Sequence, residues 1–289
     1  MRFGISLPNI GACGNASTLV ELSHEAEVAG WDGVFVWDCV HIEIAENKRL
    51  PMADPWIALA AIASATSRVR IGPIVTPMAR RRPWKVARET VTLDHLSQGR
   101  LILPVGYGAT DDGAFCKVGE DISPRVRAAK VEEGLEILTG LWSGEPFSYH
   151  GDHYHTEEMT FLPQPVQSPR IPIWLDALWP RMRSMHRAVR YDGIIAGMKE
   201  EDGGPMTPDD IRAMRTWLEE QRGQMELFDI VHEGGTPGNN LEAAPEEVQP
   251  WAEAGVTWWI ESVWTHFYQG TLESMRERIR QGPPLKTRV

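Results

Sequence analysis

A carboxylate, a thiol and an imidazole stand almost side by side at Asp38-Cys39-Val40-His41. Thiols titrate at about 8.5 and imidazoles at about 6.5, so this cluster could hold and move protons near neutral pH. Asp38, Cys39 and His41 are therefore catalytic candidates. Glu261 joins them, because it ends an apolar run, as His232 ends another, and a carboxyl and an imidazole on neighbouring strands can do acid–base work. Hydrogen-bonded strand ends would look the same in sequence. Asn9, Trp37, His232 and Trp264 are candidates for contact with an organic substrate, with Trp179 and Phe267 completing an apolar wall. The run Arg80-Arg81-Arg82 stands out in an acidic chain. It reads either as a greeting for an anion or as a solvated loop. Cys13, Cys39 and Cys116 all follow strand candidates. A thiol or zinc site with His41 would need ligand spacing such as CxxC or HxxxH, which is absent, so no metal is expected.

Something must carry these side chains to one place. Short β-rich runs alternate with helical patterns along the whole chain: Phe3 to Leu7, Val34 to Trp37, Val69 to Val75, Leu101 to Val105, Ile171 to Leu175, Gly193 to Ala196, Phe228 to His232 and Thr257 to Glu261. Helical periodicity fills the gaps, with Asn15 or Ser17, Asp54 and Thr207 as starts and Gly30 and Gly255 as stops. Eight strand–helix units predict a (β/α)8 TIM barrel as one domain over residues 1–289. A doubly wound open sheet is the runner-up. One segment breaks the repeat. Phe147 to His150 and His153 to His155 flank Gly151-Asp152, which predicts a β-hairpin inserted between the fourth helix and the fifth strand.

Composition narrows the function. The chain has 289 residues and a net charge of −11, which argues against nucleic-acid or anionic-membrane binding. Three cysteines exclude a disulfide scaffold. No apolar run is long enough for a membrane span, and no leader is evident, so a cytoplasmic location is expected. Twelve tryptophans are many for this length and suggest an aromatic-lined core or pocket.

Several pieces, in this order, resemble the luciferase-like monooxygenase family. They are Ala29-Gly30-Trp31-Asp32-Gly33-Val34-Phe35-Val36-Trp37-Asp38, Ile71-Gly72 with Val75-Thr76-Pro77, Leu96-Ser97-Gln98-Gly99-Arg100-Leu101, Val105-Gly106-Tyr107-Gly108, Arg127 with Glu132-Glu133-Gly134-Leu135, the hairpin, and Ile171-Pro172-Ile173-Trp174. The resemblance implies an oxidoreductase or monooxygenase that uses deazaflavin coenzyme F(420) or FMN at the carboxyl-end mouth of the barrel. It implies a small-molecule substrate and a homodimer packed through the helices after the second and third strands. It also implies cofactor contacts at Thr76, beside an unusual cis peptide, at Tyr107, at Arg127 near the phosphate, and at the backbone of Ala177, Leu178 and Trp179. Two departures fall on this site. Family members commonly have Asp-His where this chain has Asp38-Cys39. They also have glycine in the phosphate-binding segment, where this chain has Asp176-Ala177-Leu178-Trp179-Pro180. The alternative left open is a member that has lost the usual cofactor and catalyses a redox-neutral reaction or binds a small molecule.

Overall fold

The buried runs become strands and the periodic segments become helices. In chain order they are β1 (Arg2–Leu7), α1 (Ala16–Ala29), β2 (Gly33–Val36), α2 (Pro55–Ala65), β3 (Arg70–Pro73), β4 (Thr76–Pro77), α3 (Pro83–Leu96), β5 (Leu103–Gly106), the short α4 (Gly113–Cys116), α5 (Pro124–Trp142), β6 (Phe147–His150), β7 (His155–Met159), β8 (Ile173–Leu178), α6 (Met182–Ala188), β9 (Gly193–Gly197), α7 (Pro208–Arg222), β10 (Asp229–Gly234), α8 (Ala243–Ala254), β11 (Trp258–Ser262) and α9 (Leu272–Gln281). The computed structural model describes residues 1–42, 50–110, 113–197, 204–236, 243–262 and 271–284.

Local chemistry explains the helix boundaries. Asn15 accepts from the Ser17 N–H to start α1, and Gly30, at φ 91°, ends it in the left-handed conformation. Asp54 accepts from the Ile57 N–H ahead of Pro55. Thr207 and Asp210 form a reciprocal capping box at α7.

Nine strands form a single parallel sheet in the order β3-β2-β1-β11-β10-β9-β8-β5-β4. β3 and β4 are two halves of one stave, with a cis peptide at Ile74-Val75 between them. The circle closes where Ile71 bridges Leu101 and the Ile102 N–H donates to the Ile71 carbonyl at 2.9 Å. The result is the eight-stave barrel, and the open-sheet reading is set aside. β6 and β7 form an antiparallel hairpin as expected, but His150 pairs with His155, so the turn is the four residues Gly151 to Tyr154 and the second strand starts at His155 and not at His153. Glu133 of α5 holds it by accepting the N–H groups of Asp152, His153 and Tyr154 at 3.1, 3.0 and 2.9 Å. Among the described residues no helix is long and apolar enough to cross a membrane.

Alternation along the strands makes two cores. Outward residues such as Ile5, Val34, Ile173, Ile194 and Trp259 pack under the helices. Inward residues Phe35, Trp37, Ile102, Trp174, Ile195, Val231, Trp258 and Ile260 fill the lumen. Phe35, Trp174 and Trp258 form its floor, with ring centroids 5.3 to 5.9 Å apart. Trp258 points inward and its neighbour Trp259 outward, as period-2 alternation requires.

Candidate active site

The mouth is set by which side chains share the inward phase of Trp174 and Val231. On β8 that phase continues from Trp174 to Asp176, while Ile173, Leu175 and Ala177 lie in the outer core. On β10 it continues from Val231 to Glu233. Register places Asp176 beside Ile195 and Ile195 beside Val231, and it places Glu233 beside Ile260. Two carboxyls therefore point into the lumen near the carboxyl ends of the strands. Neither has a hydrogen-bond or ion-pair partner among the described residues.

Glycines pack closely beside Asp176, where a side chain would crowd its neighbours. A Cβ at Gly106 would lie 2.7 Å from Val75 Cγ2 and 3.4 Å from Asp176 Oδ2. A Cβ at Gly197 would lie 3.2 Å from Leu178 Cδ2 and 3.9 Å from Asp176 Oδ1. Surrounding protein, with no compensating donor, pushes Asp176 up to about 6. The same desolvation, followed by the neighbouring charge of Asp176, pushes Glu233 up to about 7. Glu233, the higher of the two, is the one that holds its proton closest to neutrality.

Most of the residues singled out in sequence do other work. Trp37 takes the inward phase and donates from Nε1 to Ser6 Oγ at 3.0 Å. Asp38 is therefore turned outward, away from the mouth. Its fully buried carboxylate accepts from Arg80 at 3.1 Å, from Arg81 at 2.7 and 2.8 Å and from Trp56 Nε1 at 3.2 Å. The first two arginines of the basic run are thus internal counter-ions, neither a solvated loop nor an anion greeting. Cys39 packs against the lumen cluster. His41 is exposed: its carbonyl accepts from the Gly113 N–H at 2.7 Å, and its ring Nε2 lies 3.3 Å from Lys117 Nζ. Asn9 is fully buried and clasps two loops, donating from Nδ2 to the Cys39 and Ala53 carbonyls at 2.9 and 2.7 Å, while its Oδ1 has no partner.

Glu261 faces outward as well. It accepts from the Thr236 N–H at 2.8 Å, Thr236 Oγ1 at 2.9 Å, Trp259 Nε1 at 2.9 Å and Arg278 Nε at 3.2 Å. Every lone pair is in use, so it ties α9 to the barrel and has no free site for substrate. His232 stacks on Trp251 of α8 at 3.7 Å and 15°, outside the lumen, and burial pushes it down to about 4. Trp264 and Phe267 lie outside the described residues. Cys13 is buried against Met275 and burial pushes it up to about 12, whereas Cys116 is exposed. The cysteines do not converge, and no cluster of three metal-ligating side chains exists among the described residues.

The cofactor candidates divide. Ile74 and Val75 both contact the lumen cluster, whereas Thr76 shares register with the outer-core Val105, and its buried hydroxyl lacks a partner. The Tyr107 hydroxyl accepts from Arg187, which is paired with Glu132. Arg127 is nine-tenths buried and donates to the Gly108 carbonyl at 2.6 Å, so it shapes the loop that carries Tyr107. Ala177 is in the outer core. The Leu178 N–H donates to Ser184 Oγ at 3.1 Å and the Trp179 N–H to the Gly197 carbonyl at 2.9 Å. Those two amides are spent inside the chain and do not present the expected phosphate cradle.

Close packing at the lumen glycines agrees with the inward phase. Gly4, Gly33 and Gly193 face the bulky lumen residues Phe35, Ile260, Trp258 and Trp174, where a Cβ would come within 2.5 to 3.0 Å. Counting by twos from these glycines gives Ser6, Trp37 and Gly197 as inward positions.

A family model described as luciferase-like monooxygenase matches residues 1–252. An uncharacterized protein of Mycobacterium tuberculosis is 28% identical over 74% of this chain and 71% of its own length. An F(420)-dependent glucose-6-phosphate dehydrogenase of Microbacterium testaceum is 31% identical over 62% of this chain, and the match spans 50% of that enzyme. An F(420)-dependent secondary alcohol dehydrogenase, solved with an F(420)–acetone adduct, superposes with a TM-score of 0.77 at 17% identity, covering 98% of both chains. At that identity the likeness establishes the barrel alone. With the family model matched across most of the chain and the barrel in place, this chain belongs to the luciferase-like monooxygenase family.

Proposed function

We propose that this chain is an oxidoreductase that uses a reduced flavin-type cofactor, deazaflavin F(420) ahead of FMN, on a small organic molecule held in the barrel mouth. The observation that carries this reading is the pair of carboxyls at the mouth end of the lumen, Asp176 and Glu233, which share the inward phase, lack partners among the described residues, and in the case of Asp176 lie against the bare backbone of Gly106 and Gly197. Buried polar atoms without partners at this end of the barrel, Asn9 Oδ1 and Ser262 Oγ, fit a ligand that completes the site. Ile74, Val75 and Gly106 are the apolar wall that would hold its ring. We assign its anionic tail to the lip formed by Tyr107, Arg127 and Arg187, because the Leu178 and Trp179 amides are engaged elsewhere.

When bound, the cofactor supplies a hydride, or, as FMN, a ring that reacts with oxygen. The chain's own residues do the rest. Trp37 and Ile195 exclude water from the floor of the site. Tyr107 is held in place by Arg187, and Arg127 fixes its loop. The lumen carboxyls hold protons next to the reacting molecule. Cys39, beside the lumen cluster, is an apolar wall residue in this reading, and the expected homodimer contact falls on α2 and α3, where Ile57 and Leu96 remain exposed.

Fluorescence titration of the purified protein with F(420) and with FMN tests the assignment. Saturable binding of one of them in the low micromolar range is expected. Failure of both to bind at high micromolar concentration overturns it.

A further inference from the structure

We propose that Glu233 is the catalytic acid–base that gives a proton to, and takes one from, the reacting oxygen of a neutral ketone or secondary alcohol, and that Asp176 is the positioning residue that keeps this proton in the lumen. The proposal deepens the cofactor reading above and rests on it.

The lumen has three described carboxyls, and they differ in one respect. Asp229, at the floor, accepts from Arg2 at 3.0 Å, Trp174 Nε1 at 3.2 Å and Thr257 Oγ1 at 2.8 Å. Asp176 and Glu233, toward the mouth, accept from no donor among the described residues. The described elements that face them present Gly106 from β5, Ile195 and Gly197 from β9, Ile260 and Ser262 from β11, Ser6 from β1 and Trp37 just after β2. None of these is charged. Ser262 is in register with the inward Ser6, one step beyond the Ile260 that pairs with Glu233, and its buried Oγ has no partner. A substrate oxygen between Glu233 and Ser262 would satisfy both. Glu233 is also one inward position closer to the strand ends than Asp176, so it is the one that meets a molecule entering from the mouth.

The chemistry balances. In ketone reduction a hydride from the reduced cofactor forms the new C–H bond. The carbonyl π pair moves to oxygen, and that oxygen takes the Glu233 proton. The ketone is reduced, the cofactor oxidised, and Glu233 is left as a carboxylate that regains a proton from water through the mouth. Alcohol oxidation runs the same steps backward. No cation among the described residues lies beside the two carboxyls, so phosphate or carboxylate on the substrate is repelled and sugar phosphates are disfavoured.

Two measurements test this. Carbon-13 NMR of the cofactor-free protein should show two side-chain carboxyls titrating together, well above the exposed carboxylates. Each of Glu233→Gln and Asp176→Asn should leave a single step at lower pH. If both titrate with the surface carboxylates, the proposal falls. In the cofactor-loaded enzyme, a panel of neutral ketones and secondary alcohols is compared with phosphorylated ketones. Glu233→Gln should lower kcat by roughly a hundredfold at unchanged cofactor affinity. Asp176→Asn should move the alkaline fall-off of ketone reduction down by about one pH unit. Retained turnover in Glu233→Gln, a preference for phosphorylated ketones, or no turnover of any neutral compound overturns the proposal. Absence of cofactor binding in the unaltered protein overturns instead the reading on which it rests.

Discussion

Asp38 and Glu261 on one side of the sheet and Asp176 and Glu233 on the other show that burial alone does not define a reactive carboxyl. The outward pair is the more deeply enclosed, with Asp38 at 4% and Glu261 at 1% exposure, and each sits among arginines and indole N–H groups. The inward pair is partly exposed yet has no donor among the described residues. A carboxylate surrounded by donors is a structural anchor. One surrounded by glycine and hydrocarbon retains its proton and has lone pairs to offer a ligand.

Breaking the outward pair should have the largest effect. Glu261→Ala removes the carboxylate beside Arg278, and Asp38→Ala removes the one beside Arg80 and Arg81, so each should cost about 3–5 kcal/mol in urea unfolding. A loss under about 1 kcal/mol would erase the distinction between the two sides.

Removing the inward charges should act in the opposite direction. The folded chain binds protons at Asp176 and Glu233 more tightly than the unfolded chain does. Their contribution is thus fully present below about pH 4 and is lost as pH rises through 6 to 7. The double variant Asp176→Asn, Glu233→Gln should be more stable than the parent at pH 8 by about 2–3 kcal/mol, with the gap closing at pH 4. Equal stability at both pH values would show that these carboxyls are not desolvated.

His232 gives a smaller effect of opposite sign. Its folded value lies below the unfolded one, so its contribution is present above about pH 6.5 and is lost as pH falls toward 4. His232→Phe, which keeps a ring against Trp251, should flatten the acid side of the Tm–pH curve, by about 1–2 kcal/mol at pH 5. An unchanged acid side would place the imidazole in solvent. The smallest effect belongs to the lip. Tyr107→Phe removes one acceptor from Arg187 and should cost about 0.5–1.5 kcal/mol of stability. Its larger consequence should be weaker F(420) or FMN binding in the fluorescence titration, and unchanged affinity would remove Tyr107 from the lip assignment.

The sequence carried the architecture better than the site, for a physical reason. Buried strand runs, Asn15, Asp54 and Thr207 caps and the Gly151-Asp152 turn are local signals, and each element they predict is present. Phase is not local. Strands of a parallel barrel are apolar on both faces, so no polar alternation marks which residue looks inward, and a slip of one position exchanges the faces. His232 in place of Glu233 is such a one-residue slip, and at the end of the second strand Trp37 has the inward phase while its neighbour Asp38 does not. Thr76 differs: consecutive Ile74 and Val75 both contact the lumen cluster, so counting by twos along that stave leads to the wrong face. The Leu178 and Trp179 amides were misjudged because their acceptors, Ser184 and Gly197, come from tertiary packing.

The last stave has a consequence for biosynthesis. β1 finds one of its two neighbours only in β11, with Arg2 beside Trp258 and Ser6 beside Ser262. During translation the first strand therefore emerges long before the partner that completes its ladder. Until residues near Ser262 leave the ribosome, the nascent chain has an open parallel sheet with bare edges, the form most prone to pairing with other chains. This most distant contact in the barrel is also the one that folding must wait for.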